Sequence, residues 1–320
     1  MTMSPADCVC LDLVSVTEYA ALASGRYLGK GDSDAAFEAT AVAMRQRLDM
    51  LRFDARIVAG VGEPLETGAE LGAGGDRGAW DIALGALQEG IVARGQAGAI
   101  SVVAATDPGS MLPLPQMYMR KMAVGPVARG RIDLLAPLAR TVEAVAEAYG
   151  RKPTDITAVV LNRPRHEDLI EELRATGARI KLIQDGDVTA AISAAIRGTN
   201  NHLAVGIGAA IEGLIAAAAM CALGGDFQGQ LWPVSRTQVR EATALGIDDV
   251  DRVWSATDMV RGDAIVVATG ISSGDLLSGV RYLADAARTH SIVMCSRCRR
   301  VDFLDSTHGF SSERPLEIRV

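Results

Sequence analysis

Hydrophobic and polar positions along the chain follow two different periods, and these periods predict the secondary structure. Residues 34–52 carry apolar side chains at helical spacing and follow "GKGD", where a capped helix would begin. Shorter apolar runs predict strands at "ARIVAGVG", at 98–106 and at 116–126, with a glycine-rich loop at 71–80 between the first two. Helical spacing returns in "LARTVEAVAEAYGR".

From residue 156 onward, the pattern repeats a strand, a short turn and a helix. The strands "ITAVVL", "ARIKLI" and "HLAVGIG" are followed by the turns "NRPRH", "QDGD" and "AAIEG" and then by helices. Such alternation predicts parallel strands joined by right-handed crossovers, with ligands bound beyond the carboxyl ends of the strands. We therefore predict an α/β fold with a parallel-sheet second half, in which the three turns face one cleft.

The segment "VARGRIDLLAP", residues 127–137, predicts a domain boundary. A chain of 320 residues is long enough for two domains. We predict an N-terminal α+β domain at 1–130 and a C-terminal α/β domain at 131–320 that carries the ligand-binding turns.

Composition and charge narrow the class of protein. Hydrophobic residues make up 49% and charged residues 22%, as in ordinary globular proteins. The net charge of −7 argues against a nucleic-acid partner, which would require a basic face. The apolar stretch 203–225 contains Glu212 near its middle and several glycines, which favours a buried strand and helix over a membrane span. With no recognisable signal peptide at the start, we predict a cytoplasmic protein without a membrane partner.

The chain has five cysteines, and an odd number fits a reducing compartment. Cys295 and Cys298 form "CSRC", which is half of a zinc site. Cys8 and Cys10 could complete it, but their spacing is poor and His290 is an equal candidate. The sequence favours unpaired thiols on or near a strand.

The turn "NRPRH" is a candidate phosphate site. Arg163 and Arg165 flank Pro164 at the start of a helix, where unpaired N–H groups and the helix dipole favour an anion. Guanidinium groups add planar donors that suit phosphate. The alternative is that both arginines form surface ion pairs with Glu167 and Asp168.

The turn "DGD" offers two carboxylates to the same cleft. Asp185 and Asp187, on either side of Gly186, could accept hydrogen bonds from sugar hydroxyls or bind a metal ion. The alternative is an Asx turn with Asp187 as a helix cap. His166 is expected to cap or pack rather than to catalyse. Two arginines and two aspartates in one cleft indicate a phosphorylated sugar as the ligand.

The chain resembles the class II, GlpX-type fructose-1,6-bisphosphatases in "VTEYAALASGRYLGKGD", "MYMRKMAVGP", "RPRHEDLIEELRATGARIKLIQDGDV", "GIGAAIEG", "GGDFQGQLWP" and "VRGDAIVVATGISSGDLLSGVRY". The resemblance implies a layered α/β/α sandwich of the lithium-sensitive sugar-phosphatase type. It implies hydrolysis of the 1-phosphate of fructose 1,6-bisphosphate with Mn²⁺ or Mg²⁺, and some members of the family also accept sedoheptulose 1,7-bisphosphate. It also implies a homo-oligomer, either a dimer or a tetramer. The implied sugar-phosphate contacts are Tyr118, Arg163, Pro164, Arg165, Asp185, Gly186, Asp187 and Gly208.

The catalytic half departs from the family pattern. Phe37 and Val61 occupy positions where the family has metal ligands, and Leu65 replaces an acidic residue. The family signature with two carboxylates and a threonine becomes "GALQEG" at 85–90. Of the implied ligand set, Glu212 alone stays in register. Because Mg²⁺ and Mn²⁺ require several hard oxygen ligands, the sequence predicts that two-metal hydrolysis is impaired or lost.

A rebuilt metal site is the alternative, since Glu38, Glu63 and Glu89 lie one or two residues from the lost ligands. On a helix, one residue turns a side chain by about 100°. On a strand, a shift of two residues keeps the same face, so Glu63 is the best of the three.

Three functional hypotheses follow. The chain could be a sugar-phosphate phosphatase with a rearranged metal site. It could be an enzyme of metal-free isomerisation or elimination, with His166, Asp185 and Asp187 as acid and base. It could also be a catalytically silent binding protein or oligomer partner. The sequence favours retained binding of a ketose phosphate.

Overall fold

The computed structural model describes residues 8–75, 77–85 and 88–310, which form two mixed sheets with packed helices. The helices are α1 Asp12–Gly25, α2 Ser33–Asp49, α3 Glu89–Ala93, α4 Leu138–Tyr149, α5 Glu167–Ala175, α6 Asp187–Ala195, α7 Ala210–Leu223, α8 Arg236–Ala244 and α9 Ala256–Met259. The strands are β1 Asp54–Ala59, β2 Glu70–Leu71, β3 Ala79–Leu84, β4 Ile100–Thr106, β5 Tyr118–Val124, β6 Thr157–Leu161, β7 Arg179–Ile183, β8 Leu203–Ala209, β9 Asp226–Trp232, β10 Val253–Ser255, β11 Ala264–Gly270, β12 Arg281–Tyr282, β13 Ala286–Cys295 and β14 Arg300–Gly309.

The elements predicted from hydrophobic periodicity are present. The predicted helix at 34–52 is α2, and the Asp32 side chain caps it by accepting a hydrogen bond from the Ala35 N–H at 3.0 Å. The strands predicted at 98–106 and 116–126 are β4 and β5. Residues 86 and 87 of the "GALQEG" segment lie outside the described residues.

The first sheet has the order β12-β13-β11-β4-β3-β1-β2, with β14 paired to β13. Its central strands β4 and β11 are buried at every position. This burial arises because α1 packs on one face of these strands and α7 on the other. Strands covered on both faces have continuous apolar sequences rather than alternating ones, as "ISVVAAT" and "AIVVATG" do.

The second sheet has the order β10-β9-β5-β8-β6-β7. β6 pairs in parallel with β7 and β8, as the repeated strand–turn–helix pattern predicted. β5, however, is antiparallel to both β8 and β9, and β10 is antiparallel to β9. The prediction of a parallel-sheet second half is therefore correct for the three crossover strands and wrong for the sheet as a whole. Only those three strands are tied together by crossover helices.

Helices α6 and α7 pack between the two sheets. The stretch 203–225 forms the predicted strand and helix, β8 and α7, but the predicted turn "AAIEG" is wrong, because α7 begins at Ala210 directly after β8. No helix of the described residues is long and apolar enough to cross a membrane. Apart from Glu212, α7 is apolar around its circumference, as expected for a helix that is covered on all sides. α1 and α2 cover the outer face of the first sheet, and α4 and α5 cover that of the second. Each sheet thus has helices on both faces, and the specific link to lithium-sensitive phosphatases stays a prediction.

The two sheets do not follow the predicted boundary at residue 130. β5 precedes the boundary and lies in the second sheet, whereas β11 to β14 follow it and lie in the first. The chain therefore passes from the first sheet to the second and back. The division into two folding units stays a prediction.

Candidate functional site

The carboxyl ends of β6, β7 and β8 lie at one edge of the second sheet, next to the start of β5. The predicted turns at 163–165 and 185–187 follow β6 and β7, and Gly208 lies near the end of β8. Tyr118 opens β5 and pairs with Ala209 of β8. The predicted sugar-phosphate contacts are thus brought to the same edge, which we call the binding edge.

Arg165 is oriented by two contacts at the binding edge. Its Nε and Nη2 atoms donate hydrogen bonds to the Ile207 carbonyl oxygen at 3.1 and 2.8 Å. Its guanidinium carbon lies 4.8 Å from the centre of the Tyr118 ring, in cation–π geometry. Across the described part of the chain, neither Arg165 nor Arg163 pairs with Glu167 or Asp168, so the surface ion-pair interpretation is not observed.

His166 is buried and bonded at both ring nitrogens. Nδ1 lies 2.8 Å from the Leu161 carbonyl oxygen, and Nε2 accepts from the Ile207 N–H at 2.7 Å. This arrangement places the proton on Nδ1 and ties β6 to β8. Burial, together with the neighbouring charge of Arg165, lowers the pKa of His166 and keeps the ring neutral. These contacts support packing, the role that the sequence favoured over catalysis.

Lys121 is a buried charge that the sequence analysis missed. It lies in the middle of β5, and its Nζ is 2.6 Å from Oδ2 of Asp187 and 2.9 Å from the Ala209 carbonyl oxygen. Its signal in the sequence was a lone lysine among the apolar residues of "MRKMAV". The ion pair occupies the carboxylate of Asp187, which the sequence assigned to sugar hydroxyls or a helix cap. α6 begins at Asp187 without a side-chain cap.

Asp187 and Glu212 are neighbouring carboxyl groups, and both are buried. Burial alone would raise the pKa of Asp187, but the charge of Lys121 and a hydrogen bond from Glu212 lower it overall. Burial and the neighbouring Asp187 charge raise the pKa of Glu212 well above its usual range. These opposite shifts favour a proton on Glu212 rather than on Asp187.

Gly208 makes room for this ion pair. A Cβ atom at position 208 would lie 1.9 Å from Oδ2 of Asp187 and 3.1 Å from Cε of Lys121, so no larger residue fits without displacing them. Gly186 adopts a left-handed conformation with φ of 86° and faces Gln88 across the gap between the sheets. Gln88 in turn accepts a hydrogen bond from the Ile100 N–H in β4 at 2.8 Å. The "DGD" turn is therefore linked to the first sheet through Gln88.

A cleft of about 400 Å³ opens beside Glu212, between the two sheets. One wall is formed by residues of the binding edge, including Tyr118 and Glu212. The facing wall is formed by Phe37 of α2, Gly60 and Val61 after β1, and Glu89 at the start of α3. Phe37 and Val61, which the resemblance places at lost metal-ligand positions, thus face Glu212 across one cleft.

A sequence model described as "Bacterial fructose-1,6-bisphosphatase, glpX-encoded" matches residues 7–308. This chain belongs to that family. It is 37% identical to the D-fructose 1,6-bisphosphatase class 2/sedoheptulose 1,7-bisphosphatase of Synechococcus sp. (strain JA-3-3Ab), over 97% of this chain and 98% of the relative. The protein of the same description from Trichodesmium erythraeum (strain IMS101) is also 37% identical, with the same coverage of both chains.

This glpX-family chain brings only one of the three predicted substitute carboxylates into the cleft. Glu89 lines it, whereas Glu38 lines a separate depression on the outer side of α2. Glu63, which strand periodicity favoured, is exposed in the tight turn between Gly62 and Leu65 and does not line the cleft. The strand ends before Glu63, so the two-residue period no longer determines where its side chain points.

Proposed function

We propose that this chain binds a ketose bisphosphate at the binding edge, with phosphomonoester hydrolysis by a pair of metal ions impaired or lost. The observation that carries the proposal is the contrast between the binding edge and the wall of the cleft that faces it. The binding edge carries the oriented Arg165 and the buried pair of Lys121 and Asp187, whereas Phe37, Gly60 and Val61 make the facing wall largely apolar. The relatives named above act on fructose 1,6-bisphosphate and sedoheptulose 1,7-bisphosphate, which makes these the first ligands to test.

The binding edge suits a phosphate group. Arg165 is exposed, and only Nε and Nη2 are used by the Ile207 carbonyl, so further N–H groups remain for phosphate oxygens. Tyr118 holds the guanidinium plane from one side. Arg163 is half-buried beside it, with a long 3.5 Å contact to the Asn162 carbonyl oxygen. Asp185 is half-buried at the adjacent turn, and we propose that its carboxylate accepts a hydrogen bond from a sugar hydroxyl.

The donor set of the cleft does not fit a pair of Mg²⁺ or Mn²⁺ ions. Among the described lining residues, the carboxylates are Glu89 and Glu212, and the remaining polar side chains are Gln116, Tyr118 and Gln238. One or two carboxylates and a substrate phosphate can hold one Mg²⁺ that keeps several waters. Two ions that clamp the attacking and leaving oxygens need more hard ligands than this lining supplies. The lining therefore does not support a hydrolytic step through a metal pair.

The same contacts favour a silent binding protein over an enzyme of metal-free acid–base chemistry. That alternative requires His166, Asp185 and Asp187 to exchange protons with a substrate. Both ring nitrogens of His166 are bonded to the backbone, and Asp187 is paired with Lys121. The dimer or tetramer implied by the resemblance stays a prediction.

Calorimetric titration with fructose 1,6-bisphosphate, in the presence of a chelator, tests the binding proposal. We expect saturable binding by the wild-type chain. Arg165→Ala should weaken it roughly tenfold to a hundredfold, because a charge-assisted hydrogen bond is lost. Arg174→Ala, at the opposite end of α5 and exposed, is the matched control and should leave the affinity unchanged. Absence of binding by the wild type, or equal affinities of the wild type and Arg165→Ala, would contradict the proposal.

A further inference from the structure

The structure brings together four cysteines that are far apart in the sequence. The Sγ atoms of Cys8, Cys10, Cys295 and Cys298 all lie within 4.8 Å of one another. Cys8 and Cys10 lie in the turn before α1, Cys295 ends β13, and Cys298 lies in the turn that leads to β14. Sequence analysis favoured separate thiols because the spacing of Cys8 and Cys10 is unusual and nothing in the sequence places them beside the hairpin.

His290, the other candidate partner, does not join the group. Its Nδ1 accepts a hydrogen bond from the Ser278 N–H at 3.1 Å, and its ring lies against Phe303. Within residues 8–75, 77–85 and 88–310, the four cysteines are the one set of three or more histidine, cysteine or carboxylate side chains close enough to share an ion. The donor set is therefore sulfur only.

The sulfur positions match a single tetrahedral ion. A Zn–S bond of about 2.3 Å in a regular tetrahedron separates neighbouring sulfurs by about 3.8 Å. Cys8 Sγ and Cys295 Sγ are 3.7 Å apart. A disulfide would require about 2.05 Å between two of them. Four thiolate ligands in tetrahedral geometry are typical of zinc or iron–sulfur sites.

The backbone of the β13–β14 hairpin supports thiolate ligation. The Cys298 N–H points at the Cys295 sulfur at 3.3 Å, so the turn supplies a hydrogen-bond donor to that sulfur. Arg299 then takes a left-handed conformation with φ of 52°, which is uncommon for a residue other than glycine. This reversal allows Arg300 to pair with Cys295 while Cys298 turns back toward the cluster.

We propose that Cys8, Cys10, Cys295 and Cys298 bind one Zn²⁺ ion as a structural tetrathiolate site. Four protein ligands leave no open position for a substrate, as in structural zinc sites. The ion would fasten the turn that precedes α1 to the hairpin, and α1 itself packs on β4, β11 and β13. The site is separate from the cleft, whose lining includes none of the four cysteines.

Metal analysis of the full-length chain, purified without chelator, tests this proposal. Elemental analysis by mass spectrometry should give about one zinc per chain. Cys295→Ser should lose the zinc, and Cys221→Ser should retain it. Cys221 is the matched control because it lies on α7, away from the cluster, with only a long contact to the Val260 carbonyl oxygen.

A second measurement on the wild type keeps the proposal testable if Cys295→Ser does not fold. X-ray absorption at the zinc edge should show four sulfur neighbours at about 2.3 Å. Four results would each overturn the proposal. They are a purified chain that contains no metal, a chain that contains iron instead of zinc, a zinc ion with nitrogen or oxygen neighbours, and a disulfide found by mass spectrometry. None of these readouts depends on sugar-phosphate binding, so the two proposals can fail separately.

Discussion

The binding edge and the wall of the cleft that faces it differ in how their side chains are held. At the binding edge, His166 is bonded at both nitrogens, Lys121 and Asp187 form a buried ion pair, and Gly208 leaves room for no other residue. The facing wall consists of Phe37 and of the ends of short elements, and its side chains are mostly apolar. We propose that ligand recognition depends on the binding edge and that the loss of metal ligands is confined to the facing wall, so that binding persists while metal chemistry changes. Four predictions test this contrast.

The largest expected effect is on stability, from removal of the buried cation. Lys121→Met leaves the Asp187 carboxylate buried without its partner, which should lower the free energy of unfolding by about 3–5 kcal/mol in urea denaturation. Lys181→Met is the matched control, because Lys181 pairs with Asp275 where both side chains are partly exposed. The control should lose no more than about 1 kcal/mol. Equal losses in the two variants would contradict a rigid binding edge.

The next effect concerns the space at Gly208. Gly208→Ala places a methyl group against the Asp187 carboxylate and should cost about 1–3 kcal/mol of unfolding free energy, because overpacking displaces the ion pair. Gly90→Ala in α3 is the control. A Cβ there meets only the end of the flexible Arg94 side chain, at 3.4 Å, so no loss is expected. A Gly208→Ala variant as stable as the wild type would show that the edge can adjust.

The apolar wall can be tested by restoring carboxylates. The double variant Phe37→Asp, Val61→Glu should bind Mn²⁺ at least about tenfold more tightly than the wild type, because added hard oxygen ligands raise affinity for such ions. Calorimetry or electron paramagnetic resonance would measure the affinity. The control is Phe37→Asn, Val61→Gln, which has the same shape without charge. Unchanged Mn²⁺ affinity would place the metal ligands elsewhere.

The smallest effect is the pH dependence from His166. Its folded-state pKa lies below the unfolded value of about 6.5, so the unfolded chain takes up the proton first as pH falls. The free energy of unfolding should therefore decrease from about pH 7 toward pH 5, by at most about 1.4 kcal/mol per pH unit for this group. His166→Gln should show a shallower slope in urea denaturation across that range. Identical slopes would mean that folding does not lower the pKa of His166.

Local structure at the binding edge was predictable from the sequence. The strand–turn–helix repeats determined β6, β7 and β8, and parallel pairing put their turns at one edge. The antiparallel position of β5 was not predictable, because no crossover helix links it to its neighbours. Lys121 was missed for the same reason. Its partner Asp187 lies on α6, and only the sheet order brings the two together.

The facing wall and the cysteine cluster depend on contacts between distant segments. Periodicity favoured Glu63 as a substitute ligand, but the strand ends before that residue. Cys8 and Cys10 reach Cys295 and Cys298 because β13 and β14 return to the first sheet, beside the start of α1. Neither arrangement has a signal within a short window of sequence.

Release of inorganic phosphate from fructose 1,6-bisphosphate and sedoheptulose 1,7-bisphosphate tests the central claim most directly. Each substrate would be incubated with Mn²⁺, with Mg²⁺ or with chelator, alongside calorimetric binding of the same compound. We predict that the chain binds the sugar phosphate and that neither ion raises phosphate release above the chelator background. Metal-dependent release that disappears in Glu212→Gln would contradict the account and show that the cleft still holds catalytic ions.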